Sequence, residues 1–297
     1  KEKVVLYQPK DAYNLSGGNG RTSKTAGTNH AGGVVVNFYI DKIEEKDSVS
    51  ISFFDSKNTL IKTFSTKPNK EKKEEKLTVK EGNNLFNWNM MYDGAESVEG
   101  MILWWASLSG PMALPGNYEV ELVVNDIKKS QNFNILRNPV SEATESEMKA
   151  QFDFINDINT KVSEIHKALK NVAKIRNQVQ VLQKAIRDKK QYKALIDLSN
   201  SLVKDMTMIE ETLYQTKSKS SQDPLNFPIR LNNKLAHLNS LTRIGNYAPT
   251  QQAIDFKNEI VKEIDIELAK LYSLFDNGVK ELNQKVKESS IDLIQLD

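Results

Sequence analysis

Along the first 137 residues, apolar and polar positions alternate in short runs. "VVVNFYI" (34–40), "VSISFF" (49–54), "LIKTF" (60–64), "YEVELVV" (118–124) and "QNFNIL" (131–136) are rich in β-branched and aromatic residues, several with a period of two. That period puts alternate side chains on one face of an extended chain, so these runs predict strands. Turn residues punctuate them. The cluster from Asp55 to Asn58 between two apolar runs predicts a hairpin, and Pro115–Gly116 predicts a turn feeding the next strand. Strands spaced this closely, with no helix between them, predict an antiparallel sandwich.

The period changes after Pro139. Thr144 followed by Glu147 forms a capping box, which satisfies two amides at a helix start. Ile155, Val162, Ile165, Leu169, Val172, Val179, Leu182 and Ile186 then recur at threes and fours, the stripe of one long helix. A second helix is predicted from about Gln191 to Thr216, a third from Ile229 to Arg243, and a fourth from Thr250 to about Ser289. Breaks at "KSKSSQDPLNFP" (217–228) and "IGNYAP" (244–249) separate the last three. Four amphipathic segments with short connections cover one another best as an antiparallel bundle. The first and last would each be roughly 60 Å long at 1.5 Å per residue. The predicted fold class is α+β multidomain: a β-sandwich over residues 1–138, then a four-helix bundle over residues 139–297.

Composition narrows the function more than the fold. Lys and Arg number 41 against 39 acidic residues in 297, a net charge of only +2, and the charges interleave as in "NKEKKEEK" (69–76). A nucleic-acid partner would call for a clustered basic excess, so none is expected. The chain has no cysteine, which excludes disulfides, thiol nucleophiles and Cys-ligated zinc, and no apolar run long enough to span a bilayer. It starts on "KEKVVLYQPKD", which reads as the middle of a strand, and is expected to be part of a longer or processed chain.

Candidate chemistry is sparse. His30, His166 and His237 are the three histidines, and no pair has the spacing of a helical metal site, so no metal and no cofactor are expected. His166, beside stripe residue Ile165, is expected at the edge of the helix core. "GGNGRTSKTAGT" (17–28) carries Lys24 but lacks the order of a phosphate-binding loop and precedes a strand, so it reads as a flexible loop. Asp93 and Glu99 flank a glycine-containing loop near Trp88 and Trp104. They are the weak catalytic candidates, a carboxylate pair of the kind glycoside hydrolysis needs.

The aromatic density lies in "EGNNLFNWNMMYDGAESVEGMILWW" (81–105). Alternation puts Phe86 and Trp88 on one face, where burial would contribute about 1.5–3 kcal/mol for Phe86 and at least as much for Trp88. Trp104 and Trp105 are adjacent. In an extended segment they point to opposite faces, so one of them is expected outside, as an interface residue.

Gly82-x-Asn84-x-Phe86-x-Trp88, followed by "GPMALPGNYEVELVVND" (110–126) with Pro115, Gly116 and Tyr118, resembles an Ig-like domain of the flagellar hook-cap type. Together with "GGVVVNFYI" (32–40) and the helical "TESEMKAQFDFINDINTKVSEIHKALKNVAKIRNQV" (144–179), the whole chain resembles the C-terminal region of sortilin-like propeller proteins of Bacteroidetes. These are often labelled glycosyl hydrolases or BNR-repeat proteins. At the junction where that family carries Asp-Pro-Arg, this chain reads "RNPV" (137–140), a departure. The resemblance implies an Ig-like sandwich, export to the outer membrane, cell surface, extracellular space or periplasm, and a β-propeller upstream. Any hydrolase activity would be expected in the propeller, and no family catalytic residue maps onto this chain. The expected role is a non-catalytic accessory module supporting the propeller and making protein contacts at the cell surface, with Trp104 or Trp105 in the interface. Two alternatives stay open: part of a glycoside hydrolase, or a sandwich that binds a glycan partner through the tryptophan loop.

Overall fold

The computed structural model describes residues 2–15, 25, 32–69, 71, 74–187, 189–289 and 291. It is an α+β chain, a β region of two sheets followed by four helices packed together. Two compact units form. The first contains residues 1–94, 109–153 and 246–248, and the second contains 95–108, 154–245 and 249–297. The segment Ala95–Leu108, counted with the strands in the sequence reading, therefore belongs to the helical unit, and the boundary inside the first helix falls between Asp153 and Phe154.

In the first unit a three-stranded sheet has the order β1 (Val4–Leu6), β3 (Val34–Ile40), β7 (Gly82–Trp88). The second sheet has the order β2 (Ala12–Tyr13), β9 (Ile127–Leu136), β8 (Gly116–Val124), β4 (Val49–Phe54), β5 (Leu60–Ser65), β6 (Glu75–Lys76). All the long pairings are antiparallel, as the hairpin signals predict. Two-residue parallel pairs, β2 with β9 and β5 with β6, border the larger sheet. Alternation sorts the faces. Val34, Val36, Phe38 and Ile40 of β3, Ile51 and Phe53 of β4, and Val120 and Leu122 of β8 are sealed from solvent. Trp88 lies among them, fully buried and stacked on Phe53 at 4.3 Å between ring centroids. Its indole N–H donates to the Met91 carbonyl at 3.3 Å, so the ring enters the core without an orphaned donor. Gly33 opens β3 at φ 101, where a Cβ would stand 2.3 Å from the Trp88 carbonyl oxygen, so the strand can start only with a glycine.

The helical unit follows the predicted stripes. α1 (Glu145–Ile186) starts at the Thr144–Glu147 box: the Thr144 amide donates to the Glu147 carboxylate at 2.8 Å, and the Glu147 amide donates to Thr144 Oγ1 at 3.3 Å. α2 (Lys193–Leu213) and α3 (Leu231–Thr242) are shorter than predicted, each losing residues at both ends. α4 (Gln251–Ser273) starts on Thr250, whose hydroxyl accepts from the Ala253 amide, and a π-helical turn (Leu274–Gly278) carries the chain on into α5 (Val279–Glu288) as one run. At that turn, a Cβ on Gly278 would stand 2.8 Å from Leu202 Cδ1, so the glycine lets α2 come close. Ile158, Val162, Ile165, Val172, Leu213, Leu235, Ile264 and Leu271 fill the interior from all four segments. No described helix is long and apolar enough to cross a membrane.

Candidate functional site

The predicted interface residues lie on the excursion Ala95–Leu108, which leaves the strands and docks on the helices. Its neck is closed by the Ala95 amide donating to the Leu108 carbonyl at 2.7 Å, which makes it a compact loop with its ends together. Ala95, Met101, Ala106 and Leu108 pack into the helical core. Trp105 does the opposite. It is 76% exposed, its φ is 52°, and its ring lies 5.9 Å from that of Trp104, which is half-buried. The left-handed region suits glycine or asparagine, and a bulky side chain there is an outlier that costs of order 1–3 kcal/mol. Something must hold it.

α3 supplies the hold. Asn233, buried, grips Trp104 at both ends of its backbone: the Trp104 amide donates to Asn233 Oδ1 at 2.6 Å, and Asn233 Nδ2 donates to the Trp104 carbonyl at 2.9 Å. One turn on, His237 Nδ1 lies 2.7 Å from the Trp105 carbonyl oxygen, and the Ser107 amide donates to the Ala236 carbonyl at 3.3 Å. The Ile102 amide donates to the Tyr214 hydroxyl at 3.3 Å, beyond the end of α2.

α1 holds the other limb. The Glu96 amide donates to Ser163 Oγ at 2.9 Å, and Lys170 pairs with the Glu96 carboxylate at 2.6 Å. His166 is fully buried between loop and helix, not at the edge of the core as its neighbour Ile165 suggested. Its Nε2 faces Asn232 Nδ2 at 3.3 Å, so that nitrogen is the acceptor, and Nδ1–H donates to the Glu96 carbonyl. The ring is thus neutral. Burial pushes its pKa below the ordinary 6.5, aided by the Lys170 charge and opposed by the Glu96 carbonyl and carboxylate. Asn232 Nδ2 also contacts the Met101 sulfur at 3.4 Å, while its Oδ1 is buried without a hydrogen bond among the described residues. Below this, Asn239 Nδ2 donates to Asn159 Oδ1 at 2.9 Å and Arg243 Nε donates to Asn239 Oδ1, an amide chain joining α1 to α3.

The remaining predicted residues divide by role. Gly82 has φ 83, and the Asn84 side chain accepts from the Lys80 amide at 2.8 Å and donates to the Lys80 carbonyl at 2.7 Å. Gly-x-Asn is therefore a turn clamp at the start of β7. Phe86 lies 4.6 Å from Phe64, half-buried, beside the sealed Trp88. Gly116, at φ 155, follows Pro115, and the Tyr118 hydroxyl donates to the Leu114 carbonyl at 2.7 Å. Burial raises the Tyr118 pKa and pushes the neighbouring Tyr92 up to about 12. Asp93, in the first unit, lies 3.6 Å from Lys62 Nζ, whose nearer partner is Glu75 at 2.6 Å. Glu99, in the second unit, is exposed on a cleft that it shares with Arg176 and Tyr214. Lys24 and His30 lie outside the described residues. Among the described residues, no group of three His, Asp or Glu side chains could hold a metal.

No family model matches this chain. No curated protein matches it either. Among solved structures it is similar to pT26-6p, at 12% identity with a TM-score of 0.11, over 84% of this chain and 46% of that one. The chain spans about half the length of that protein, and a likeness of this size carries no argument about fold or function.

Asn232, Asn233 and His237 escape a reading by motif, yet a signal for the two asparagines is present. Leu231, Leu235, Ala236 and Leu238 set the buried stripe of α3, and both asparagines fall within it. A polar side chain on an apolar stripe calls for a partner; Asn233 finds its partner in the backbone of Trp104, and Asn232 finds partners for its Nδ2 in His166 and Met101.

Proposed function

We propose that the chain is a non-catalytic accessory module of an exported sortilin-like protein, and that Trp105, backed by Trp104, is its contact with the upstream β-propeller or another cell-surface protein. The observation that carries this reading is a large apolar side chain kept in solvent at a disfavoured φ, on a loop fastened from α1, from α3 and by Tyr214 past the end of α2. Tryptophan, with tyrosine and arginine, is among the side chains most enriched at the energetic centres of interfaces. In the finer reading the β region is an Ig-like sandwich and the helices an antiparallel four-helix bundle. Favouring the Ig-like part are the Trp88 core, the predominantly antiparallel pairing, and the Tyr118 hydroxyl bonded back to Leu114, the local form of a tyrosine corner.

Association between the propeller portion and this chain, measured by calorimetry for the wild type, Trp104→Ala and Trp105→Ala, tests the reading. Loss of a central tryptophan should weaken binding by at least about 2 kcal/mol. Equal affinity in all three proteins removes it.

A further inference from the structure

The outward face of the larger sheet carries a second kind of surface. Alternation that buries Tyr118, Val120 and Leu122 turns Asn117, Glu119 and Glu121 of β8 to the other side. Register then sets Asn134 beside Asn117, and Asn132 beside Glu119, with Phe54 of β4 completing that row. Gln8 and the Asp55–Asn58 turn border the rows, and together they enclose a cleft of ≈ 850 Å³ lying wholly within the first unit.

The chemistry of these side chains selects a ligand class. Asn134 spends an amide hydrogen on Asp11 at 3.1 Å, and Lys128 is taken by Glu121. The side chains of Gln8, Asn117, Asn132 and Glu119 make no hydrogen bond among the described residues, although they line the cleft. Phosphate or sulfate would meet three carboxylates, Asp55, Glu119 and Glu121, and one lysine already paired. A cation would use the carboxylates but leave the amide N–H groups idle. Amides supply donor and acceptor together, the carboxylate supplies an acceptor, and a hydroxyl group requires both kinds. Phe54, half-buried in the same row, offers an apolar ring against which the C–H face of a sugar can lie. We propose that this cleft binds a neutral polyhydroxylated ligand, a segment of an uncharged oligosaccharide, with Asn117, Glu119 and Asn132 as hydrogen-bonding residues and Phe54 as the stacking surface.

The site is separate from the tryptophan loop and stands or falls without it. Calorimetric titration of the intact chain with neutral hexasaccharides of glucose, xylose, mannose and N-acetylglucosamine tests it, with spermine and a sulfated oligosaccharide as charged probes. At least one neutral sugar should bind with a Kd of about millimolar or tighter. Asn132→Ala and Glu119→Ala, both outward-facing and checked for unchanged thermal unfolding, should weaken that binding by about tenfold or more, and Trp105→Ala should leave it as it was. The proposal is overturned if none of the four sugars binds, if only spermine or the sulfated sugar binds, or if both cleft variants bind as tightly as wild type.

Discussion

The β unit fills its interior with rings, whereas the helical unit keeps amides and an imidazole inside its own. Phe53 sits among Trp88, Phe64, Phe86 and Phe133 with centroids between 4.3 and 6.3 Å, and the buried residues of that core are almost all apolar. In the helices, Asn159, His166, Asn232, Asn233 and Asn239 are buried among leucines and isoleucines. Polar groups inside cost free energy unless each is paired, and they tie an element to one register. The first interior is organised for stability. In the second, three of the five hold the loop Ala95–Leu108: Asn233 and His166 by hydrogen bonds and Asn232 through Met101 and His166.

The largest effect expected from this contrast is in the rings. Trp88→Ala removes a sealed side chain stacked on Phe53 and should cost about 3–5 kcal/mol in urea unfolding. A smaller loss than that from Asn233→Ala would contradict the division, because it would mean that the aromatic core is not the main source of stability.

Asn233→Ala comes next. It leaves the Trp104 amide and carbonyl without their partner, at about 1–3 kcal/mol, and frees the loop. Its signature is a change in tryptophan emission at native conditions beside the lowered urea midpoint. Unchanged emission would show that the loop is held elsewhere.

Protonation gives a gentler probe of the same clamp. His166 is neutral in the fold with its pKa lowered by burial, so the unfolded chain binds the proton more readily. The stability it contributes is complete above the unfolded value near 6.5 and is lost as the pH falls towards and through the lower folded value. Unfolding midpoints measured from about pH 7 down to pH 5 should fall in the wild type and fall less in His166→Gln. Parallel profiles would place the titrating group elsewhere.

The legibility of the sequence follows the same line. A period of two with turn residues located β3, β4, β5, β8 and β9 and put Phe86 and Trp88 of β7 on one face, and a period near 3.6 with the Thr144–Glu147 box located the helices, because both patterns record which face meets a core. The two-residue strands β2 and β6 escaped, since two residues carry no period. Docking of Ala95–Leu108 on the helices escaped for a different reason. It depends on hydrogen bonds between residues about seventy to one hundred and thirty positions apart, such as Glu96 with Ser163 and Trp104 with Asn233, and no local pattern encodes them. His166 looked like an edge residue because the groups that meet its ring, Glu96 of the loop and Asn232 of α3, lie about seventy positions away on either side. The adjacency of Trp104 and Trp105 led to an outward indole only on the premise of an extended segment; Trp105 is exposed, but at φ 52° and outside any strand, a backbone that could not be read from the letters.

The smallest effect is also the most direct test of whether the Trp105 backbone is held against its preference. Trp105→Gly and Trp105→Ala both delete the indole and differ only in the Cβ, which is disfavoured at φ 52°. Elsewhere alanine stabilises relative to glycine by roughly 0.5–1 kcal/mol. Here the urea unfolding free energies should be reversed, with the glycine variant ahead by about 1 kcal/mol. An alanine variant as stable as the glycine one, or more so, would contradict the account.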